Sequence, residues 1–285
     1  MSRIALITDS TANLPKELIE KHHIHVVPLK IQWGDDSLID GVTISTDAFY
    51  ERLEIDPQIP TTSQPSMMEF LQMYEKLAKE YDSILVMLIG SGISGTVASA
   101  TAAAAEFDKV PLKVIDTSTT SAGLAMVVLA AAEAVAEGCS LEETAVTIQS
   151  VCAGMNLLFA VDTLKYLHRG GRIGGASRYL GTMLSIKPIL EFRGTVEPVA
   201  RVRGMKKAMA HLVKKVVQEV GDSGVQVAIL HSKAPALAEK LKQMLKQKLT
   251  IDKNYIFDLS PVIGTHVGSG AVGLAFYPTS LNFSN

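Results

Sequence analysis

The chain has 285 residues, of which 47% are hydrophobic, and this length is enough for two domains with sizeable cores. A formal net charge of −2 argues against a general nucleic-acid binder, and no apolar run reaches the roughly 18 residues that a membrane-spanning helix needs. The two cysteines, Cys139 and Cys152, lie among small or apolar residues. They predict neither a disulfide framework nor a metal site, and they favour the reducing cytoplasm.

In chain order, the first predicted elements are a strand, a short helix and a small hairpin. The apolar run RIALIT predicts the strand, DSTANLP the turn after it, and PKELIEKH the helix. The segment IHVVPLKIQW alternates like one half-buried strand, and a turn at Gly34 and Asp35 makes it part of a hairpin insertion at about residues 25–55. The segment DPQIPTTSQP is expected to be a loop.

Helices and parallel strands are predicted over the remainder of the first half. Ser66 with Glu69, and Ser140 with Glu143, form two capping boxes that each open a helix. Between them, strand SILVMLIG, helix VASATAAAAEF and strand LKVID make a β-α-β unit, and a long helix follows it. This alternation predicts an N-terminal α/β domain over residues 1–154, with a mostly parallel sheet and helices on both faces.

A second α/β domain is predicted over residues 155–285. Strand NLLFAVD is followed by the basic, glycine-rich stretch TLKYLHRGGRIGGASRYLG and by a hairpin that turns at Arg193 and Gly194. Helix MKKAMAHLVKKVVQEV, strand VQVAILH, helix PALAEKLKQMLKQ and strands YIFDL and VGLAFY complete the domain. Between the last two strands, IGTHVGSGA is expected to be a glycine-punctuated loop whose backbone can approach a ligand closely.

Three strands are followed by loops that are rich in hydroxyl groups and poor in charge: DST, GSGISGT and DTSTTS. The carboxyl ends of parallel strands meet at the edge of a sheet where ligands bind. Ser94 and Gly95, in the second of these loops, lie where a helix begins. Free backbone N–H groups and the helix dipole favour an anion there. Ser94 is also suited to capping the helix, and this role is compatible with anion binding.

A dinucleotide-dependent enzyme is one alternative function. Gly90, Gly92 and Gly95 fit the fingerprint G-x-G-x-x-G, and Asp116 stands about 20 residues further on, where a ribose-binding acid is expected. The fingerprint usually follows the first strand of its domain, whereas a strand is predicted here about 80 residues earlier. A lone match of this kind has a high false-positive rate.

A serine hydrolase is a weaker alternative. Ser94, Asp116 and His266 occur in the chain order Ser-Asp-His, which is the order of one class of catalytic triad. However, the nucleophile elbow of that class requires glycine two residues after the serine, and Thr96 occupies this position.

Seven motifs, in chain order, resemble those of the DegV family over nearly the whole chain. They are ITDSTANLP, PTTSQPS, SGISGT, HRGGRIG, IKPIL, VRGMKKA and IGTHVGSGA. The resemblance implies a bacterial fatty-acid-binding protein with a tunnel between its two domains and no cofactor or catalysis of its own. It also implies ligands such as palmitate, stearate or oleate. The implied partner is a fatty acid kinase subunit that makes acyl-phosphate for phospholipid synthesis, with no nucleic acid and no stable membrane insertion.

The resemblance also implies site residues. The family's fatty-acid carboxylate site falls on Thr62, Ser94, Gly95 and His266. Its kinase-facing arginines fall on Arg172 and Arg203, within a stretch dominated by Lys and Arg that is expected to form one basic face. Hydroxyls, a histidine and a helix start would supply the donors that a desolvated carboxylate needs. At about 0.8 kcal/mol per buried methylene, a tail of about fifteen would contribute on the order of 12 kcal/mol gross.

Overall fold

The computed structural model describes residues 3–181, 186–221 and 223–279, which fold into three sheets with helices packed against them. The strands are β1 (Ile4–Asp9), β2 (Ile24–Val27), β3 (Lys30–Trp33), β4 (Asp36–Ile39), β5 (Thr61–Ser63), β6 (Ser83–Leu88), β7 (Leu112–Asp116), β8 (Asn156–Ala160), β9 (Ile186–Phe192), β10 (Val196–Arg203), β11 (Val225–His231), β12 (Ile251–Asp258) and β13 (Val272–Pro278). The helices are α1 (Lys16–Lys21), α2 (Thr46–Ile55), α3 (Met67–Leu77), α4 (Thr96–Ala105), α5 (Ser121–Ala136), α6 (Leu141–Gly154), α7 (Lys165–Arg169), α8 (Met205–Val220), α9 (Pro235–Lys246) and α10 (Pro261–Val267). Short 3-10 helices span Ser10–Ala12 and Gly174–Tyr179.

Four parallel strands form the N-terminal sheet, in the order β2-β1-β6-β7. Strands β1 and β6 are buried along their whole length, as expected for a parallel sheet that is covered on both faces. Helices α3 and α4 pack on one face, and α5 and α6 pack on the other. Both predicted capping boxes are formed, at the starts of α3 and α6. The predicted α/β architecture of this half is confirmed.

Six strands form the C-terminal sheet, in the order β10-β9-β8-β13-β11-β12. All neighbours in this sheet are antiparallel except β11 and β12. Helices α8 and α9 cover one face, and α5 contacts the other. Strand β13 lies in the middle of the sheet, between β8 and β11, although it follows both of them in the chain. The predicted second α/β domain is confirmed.

Helix α5 lies between the two large sheets and is buried on all sides. Thirteen of its 16 residues are buried, which is typical of a helix that is apolar around its whole circumference. One large hydrophobic cluster therefore contains buried residues from both halves of the chain. Throughout the described ranges, no helix has both the length and the apolar character needed to cross a bilayer. The domain boundary after residue 154 stays a prediction, and the outer limits at residues 1 and 285 lie outside the described residues.

The predicted hairpin is formed by β3 and β4, which turn at Gly34 and Asp35, but two neighbouring predictions are wrong. The segment IHVVPLKIQW forms two strands, because the chain leaves the N-terminal sheet after β2 and enters a separate small sheet as β3. Pro28, which lacks a backbone N–H, lies at the break. The segment expected to be a loop contains β5, which pairs with β3 and places Thr62 opposite Ile31. A three-residue polar strand carries no periodic signal, so only its distant partner reveals it.

His266 lies in the last turn of α10 rather than in the expected loop. The glycines of IGTHVGSGA predicted a loop, but Gly264 is inside the helix, where a Cβ would lie 2.7 Å from the Tyr50 hydroxyl. Gly264 therefore permits close packing of α10 on α2. Pro261 begins the helix, and Gly268, with φ of +70°, ends it.

Candidate functional site

A narrow cavity lies between the N-terminal and C-terminal halves of the molecule. Most of the lining is apolar and includes Ile89, Leu157, Phe159, Leu167, Phe192 and Val196. The polar lining is small and includes Thr62, Ser94 and His266, so the structure brings these three predicted residues together.

Thr62 and His266 both lie in the cavity wall and contact each other directly. The Thr62 Oγ1 atom lies 2.8 Å from the His266 Nε2 atom, which joins β5 to α10. Burial, and then the nearby charge of Arg172, lower the pKa of His266 to about 4. The imidazole is therefore neutral at physiological pH. Its Nδ1 atom is buried beside Gly170 and has no hydrogen-bond partner among the described residues.

Ser94 lies directly before α4, whose N-cap is Gly95. The Ser94 hydroxyl oxygen lies 2.8 Å from the Thr96 hydroxyl oxygen and accepts from the Thr96 backbone N–H at 3.4 Å. A Cβ on Gly95 would lie only 2.9 Å from the Gln64 side-chain amide. The start of α4 is therefore packed against the residues that follow β5, which brings Ser94 near Thr62 in the cavity lining.

The two predicted arginines lie in different places. The Arg172 side chain is half-buried in the cavity wall, where its guanidinium donates to the carbonyl oxygens of Ile93 at 3.2 Å and Gly170 at 2.7 Å. Arg203, at the end of β10, is exposed and is not among the cavity-lining residues. Arg172 therefore lies in the cavity wall and not on an exposed face with Arg203, and its contact with a partner stays a prediction.

Sequence reasoning missed three polar residues of the lining, Ser63, Gln64 and Thr120. The Thr120 hydroxyl at the start of α5 is buried and has no partner among the described residues. The hydroxyl-rich sequence DTSTTS predicted that this loop lies near a ligand, but it did not indicate that Thr120 is the residue that lines the cavity. Its conformation depends on positive φ values of 50° at Ser118 and 52° at Ser121, which non-glycine residues seldom adopt.

Two of the three fingerprint glycines, Gly90 and Gly92, pack against the protein's own backbone. A Cβ on Gly92 would lie 2.2 Å from the Gly194 carbonyl oxygen, and one on Gly90 would lie 3.2 Å from the Ser118 backbone. The Asp116 carboxylate accepts from the backbone N–H groups of Ser91 and Ser118, so it ties two loops together. These contacts explain the glycines and the acid without a dinucleotide.

Labelling with a fluorophosphonate probe tests the hydrolase alternative. Ser94 contacts Thr96, His266 contacts Thr62, and Asp116 contacts backbone N–H groups, so each member of the possible triad has a different partner. A serine without a positioned base is a weak nucleophile. We expect no covalent adduct on Ser94 by intact-protein mass spectrometry, with a known serine esterase as the positive control. An adduct that disappears in Ser94→Ala would restore the hydrolase hypothesis.

Comparisons with known proteins agree over nearly the whole chain. Residues 3–279 match the family model described as "Uncharacterised protein, DegV family". The chain is similar to protein DegV of Bacillus subtilis (strain 168), with 33% identity over 277 residues, or 96% of this chain and 98% of that protein. It is also similar to the solved structure of a DegV family protein from Thermus thermophilus, described as fatty acid binding, with 35% identity and a TM-score of 0.91 over 97% of this chain and 99% of that one. The structure of DegV from Bacillus subtilis, described as a fatty acid binding protein, has 30% identity and a TM-score of 0.88 over 98% of this chain and 100% of that one.

Proposed function

Because the chain belongs to the DegV family, we propose that it binds a long-chain fatty acid in the cavity between its two halves, with the carboxylate at Thr62, Ser94 and His266. The observation that carries the proposal is the meeting of these three polar side chains in the wall of a largely apolar cavity. The proposal assigns no catalytic step to the chain itself.

The polar residues suit a single carboxylate. A carboxylate taken out of water requires donors to its oxygens, and hydroxyls, an imidazole N–H and the first N–H groups of α4 are such donors. Arg172 adds positive charge beside His266, but its guanidinium already donates to two carbonyl oxygens. The carboxylate is therefore held mainly by neutral donors, which leave one oxygen able to react.

The apolar lining suits an alkyl tail. Aromatic and aliphatic residues from β8, α7, β9 and β10 face residues that follow β6. Removing a tail from water contributes about 0.8 kcal/mol per methylene, so most of the affinity comes from this part of the cavity. The proposal agrees with the fatty acid binding described for the proteins from Thermus thermophilus and Bacillus subtilis.

A finer part of the proposal concerns what happens to the bound acid. We propose that the chain, in the cytoplasm, presents the carboxylate to a fatty acid kinase, which forms acyl-phosphate for phospholipid synthesis. Exposed Arg203 is the proposed contact with that partner, because a charged side chain outside the cavity is free to meet an acidic surface.

Calorimetry with purified, delipidated protein tests the proposed ligand. We expect palmitate or oleate to bind at one site per chain. We expect NAD to give no binding signal, because the hydroxyl groups and N–H groups around Ser94 suit the single charge of a carboxylate. Native mass spectrometry before delipidation provides an independent measurement, with an adduct of the mass of palmitate, stearate or oleate as the expected result. Binding of NAD without binding of either fatty acid would overturn the proposal.

A further inference from the structure

The face of α10 that borders the cavity carries three residues of its lining: Ile263, His266 and Val267. Residues three and four apart lie on the same side of a helix, so this face as a whole meets the ligand space. The helix has only seven residues. His266 therefore lies less than two turns from the N-terminal end of the helix.

The N-terminal end of α10 lies beside Asp40, a carboxylate that the proposed function leaves without a role. Asp40 is 2% exposed, and its backbone N–H donates to the Leu29 carbonyl oxygen at 3.0 Å. Its side chain faces the hydroxyls of Ser10 and Ser260 and the backbone N–H of Val262. Neither carboxylate oxygen reaches good hydrogen-bonding geometry with any described group.

The free backbone N–H groups at the start of α10 lack a side-chain cap, and a buried carboxylate can fill that role. Pro261 has no backbone N–H, so Val262 supplies the first free N–H of the helix, and the N-cap residue Ser260 makes no side-chain capping bond. A negative charge near these N–H groups stabilises the helix. The backbone N–H of Ser260 donates to the Asn13 side-chain oxygen at 2.8 Å, which fixes the entry of the chain into the helix.

We propose that Asp40 is a positioning residue of the fatty-acid site: in its ionised form it holds the first turn of α10, and through this helix it fixes His266 against Thr62. This inference rests on the proposed function in one respect only, which is that the ligand of the site is a fatty acid. The link from Asp40 to His266 is a property of the protein alone.

The ionisation of Asp40 makes this link measurable. Burial is the main cause that raises its pKa to about 6, against the lowering effect of the hydroxyls and of the Val262 N–H. Asp40 is therefore charged at pH 8 and mostly neutral at pH 5. His266, with its pKa lowered to about 4 by burial and by Arg172, stays mostly neutral through this range.

Other ionisable groups face Asp40 from neighbouring elements. Asp9 at the end of β1 raises the pKa of Asp40 by repulsion, and the pKa of Tyr50 on α2 is raised in part by Asp40. Lys16 on α1 and Asp258 on β12 line the groove beside Asp40.

Asp9 accepts hydrogen bonds from the backbone N–H groups of Thr11 and Ile89. A substitution at Asp40 is needed to separate its titration from that of Asp9.

NMR of histidine labelled with nitrogen-15 tests the link without a ligand. We expect the ring resonances of His266, assigned by their loss in His266→Gln, to shift with a midpoint near pH 6, although the ring itself does not titrate there. Asp40→Asn should remove this transition, and Asp35→Asn, the same change in an exposed turn, should retain it. In Ser260→Ala, which removes a hydroxyl that stabilises the carboxylate, the midpoint should move to higher pH.

A second measurement uses palmitate. Relative to Asp35→Asn, we expect Asp40→Asn to bind palmitate about threefold to tenfold more weakly at pH 8 and equally at pH 5. A His266 resonance that does not change between pH 5 and 8, or a transition that persists in Asp40→Asn, would overturn the inference. If Asp40→Asn does not fold, an unmoved midpoint in Ser260→Ala overturns it. Failure of the wild-type protein to bind palmitate refutes the proposed function alone, since the NMR transition does not depend on ligand.

Discussion

Val196→Trp is expected to lower fatty-acid affinity about a hundredfold or more while the protein remains folded. Val196 is 4% exposed at the start of β10 and belongs to the apolar lining of the cavity. An indole ring there would occupy space that the tail requires. Excluding about four methylenes loses roughly 3 kcal/mol, which is about a hundredfold in the dissociation constant.

The measurement is calorimetry with palmitate, accompanied by thermal unfolding followed by circular dichroism. Overpacking in a folded protein typically lowers stability by about 1–3 kcal/mol, so a moderate decrease in Tm is expected and does not explain a loss of binding. Val146→Trp is the matched control, because Val146 is 63% exposed on α6 and the same change there fills no cavity. A folded Val196→Trp protein with wild-type affinity would show that the tail lies elsewhere.

Ser94→Ala should lower acyl-phosphate formation much more than it lowers fatty-acid binding. Losing one hydrogen bond to a charged group costs about 1.5–3 kcal/mol, so binding should weaken about tenfold to a hundredfold. Phosphoryl transfer requires the carboxylate in line with its donor, and a misplaced oxygen lowers this rate further. The assay requires the cognate kinase, ATP and labelled palmitate, with binding measured separately on the same protein.

The two arginines give contrasting controls for this prediction. Arg203→Ala should leave fatty-acid binding unchanged and weaken kinase engagement, most visibly at high salt, where the remaining electrostatic attraction is screened. Arg172→Ala should weaken fatty-acid binding as well, because the guanidinium lies in the cavity wall next to Ile93. If Arg203→Ala loses fatty-acid binding as severely as Ser94→Ala, the separation between holding and presenting the ligand is wrong.

Local signals in the sequence predict much of this fold. The capping boxes at Ser66 and Ser140 depend on side chains and N–H groups only three residues apart, and both are formed. The β-α-β unit around α4 and the hairpin that turns at Gly194 depend on apolar periodicity and short turns. Such features are determined within one segment, so a single sequence is enough to find them.

Features that depend on distant partners were not predictable in the same way. Strand β5 exists because it pairs with β3, some thirty residues earlier. The inward direction of Arg172 depends on the carbonyl oxygen of Ile93, 79 residues away in the chain. Thr120 lines the cavity because neighbouring serines adopt left-handed backbone conformations, which a serine in the sequence does not predict. The resemblance to a family located Thr62, Ser94 and His266, but it did not supply the contact between Thr62 and His266.

The central position of β13 has a consequence for synthesis on the ribosome. Strands β8 and β11 are neighbours only through β13, so both expose an unpaired edge until residues 272–278 have left the exit tunnel. Helix α10, which contributes part of the cavity wall, comes just before β13 in the chain. A nascent chain that lacks these residues has an open C-terminal sheet and an incomplete pocket. If the pocket holds a fatty acid as proposed, the ligand can bind only after translation has passed β13. A fragment stalled before β13 has two unpaired strand edges and no bound ligand to stabilise it.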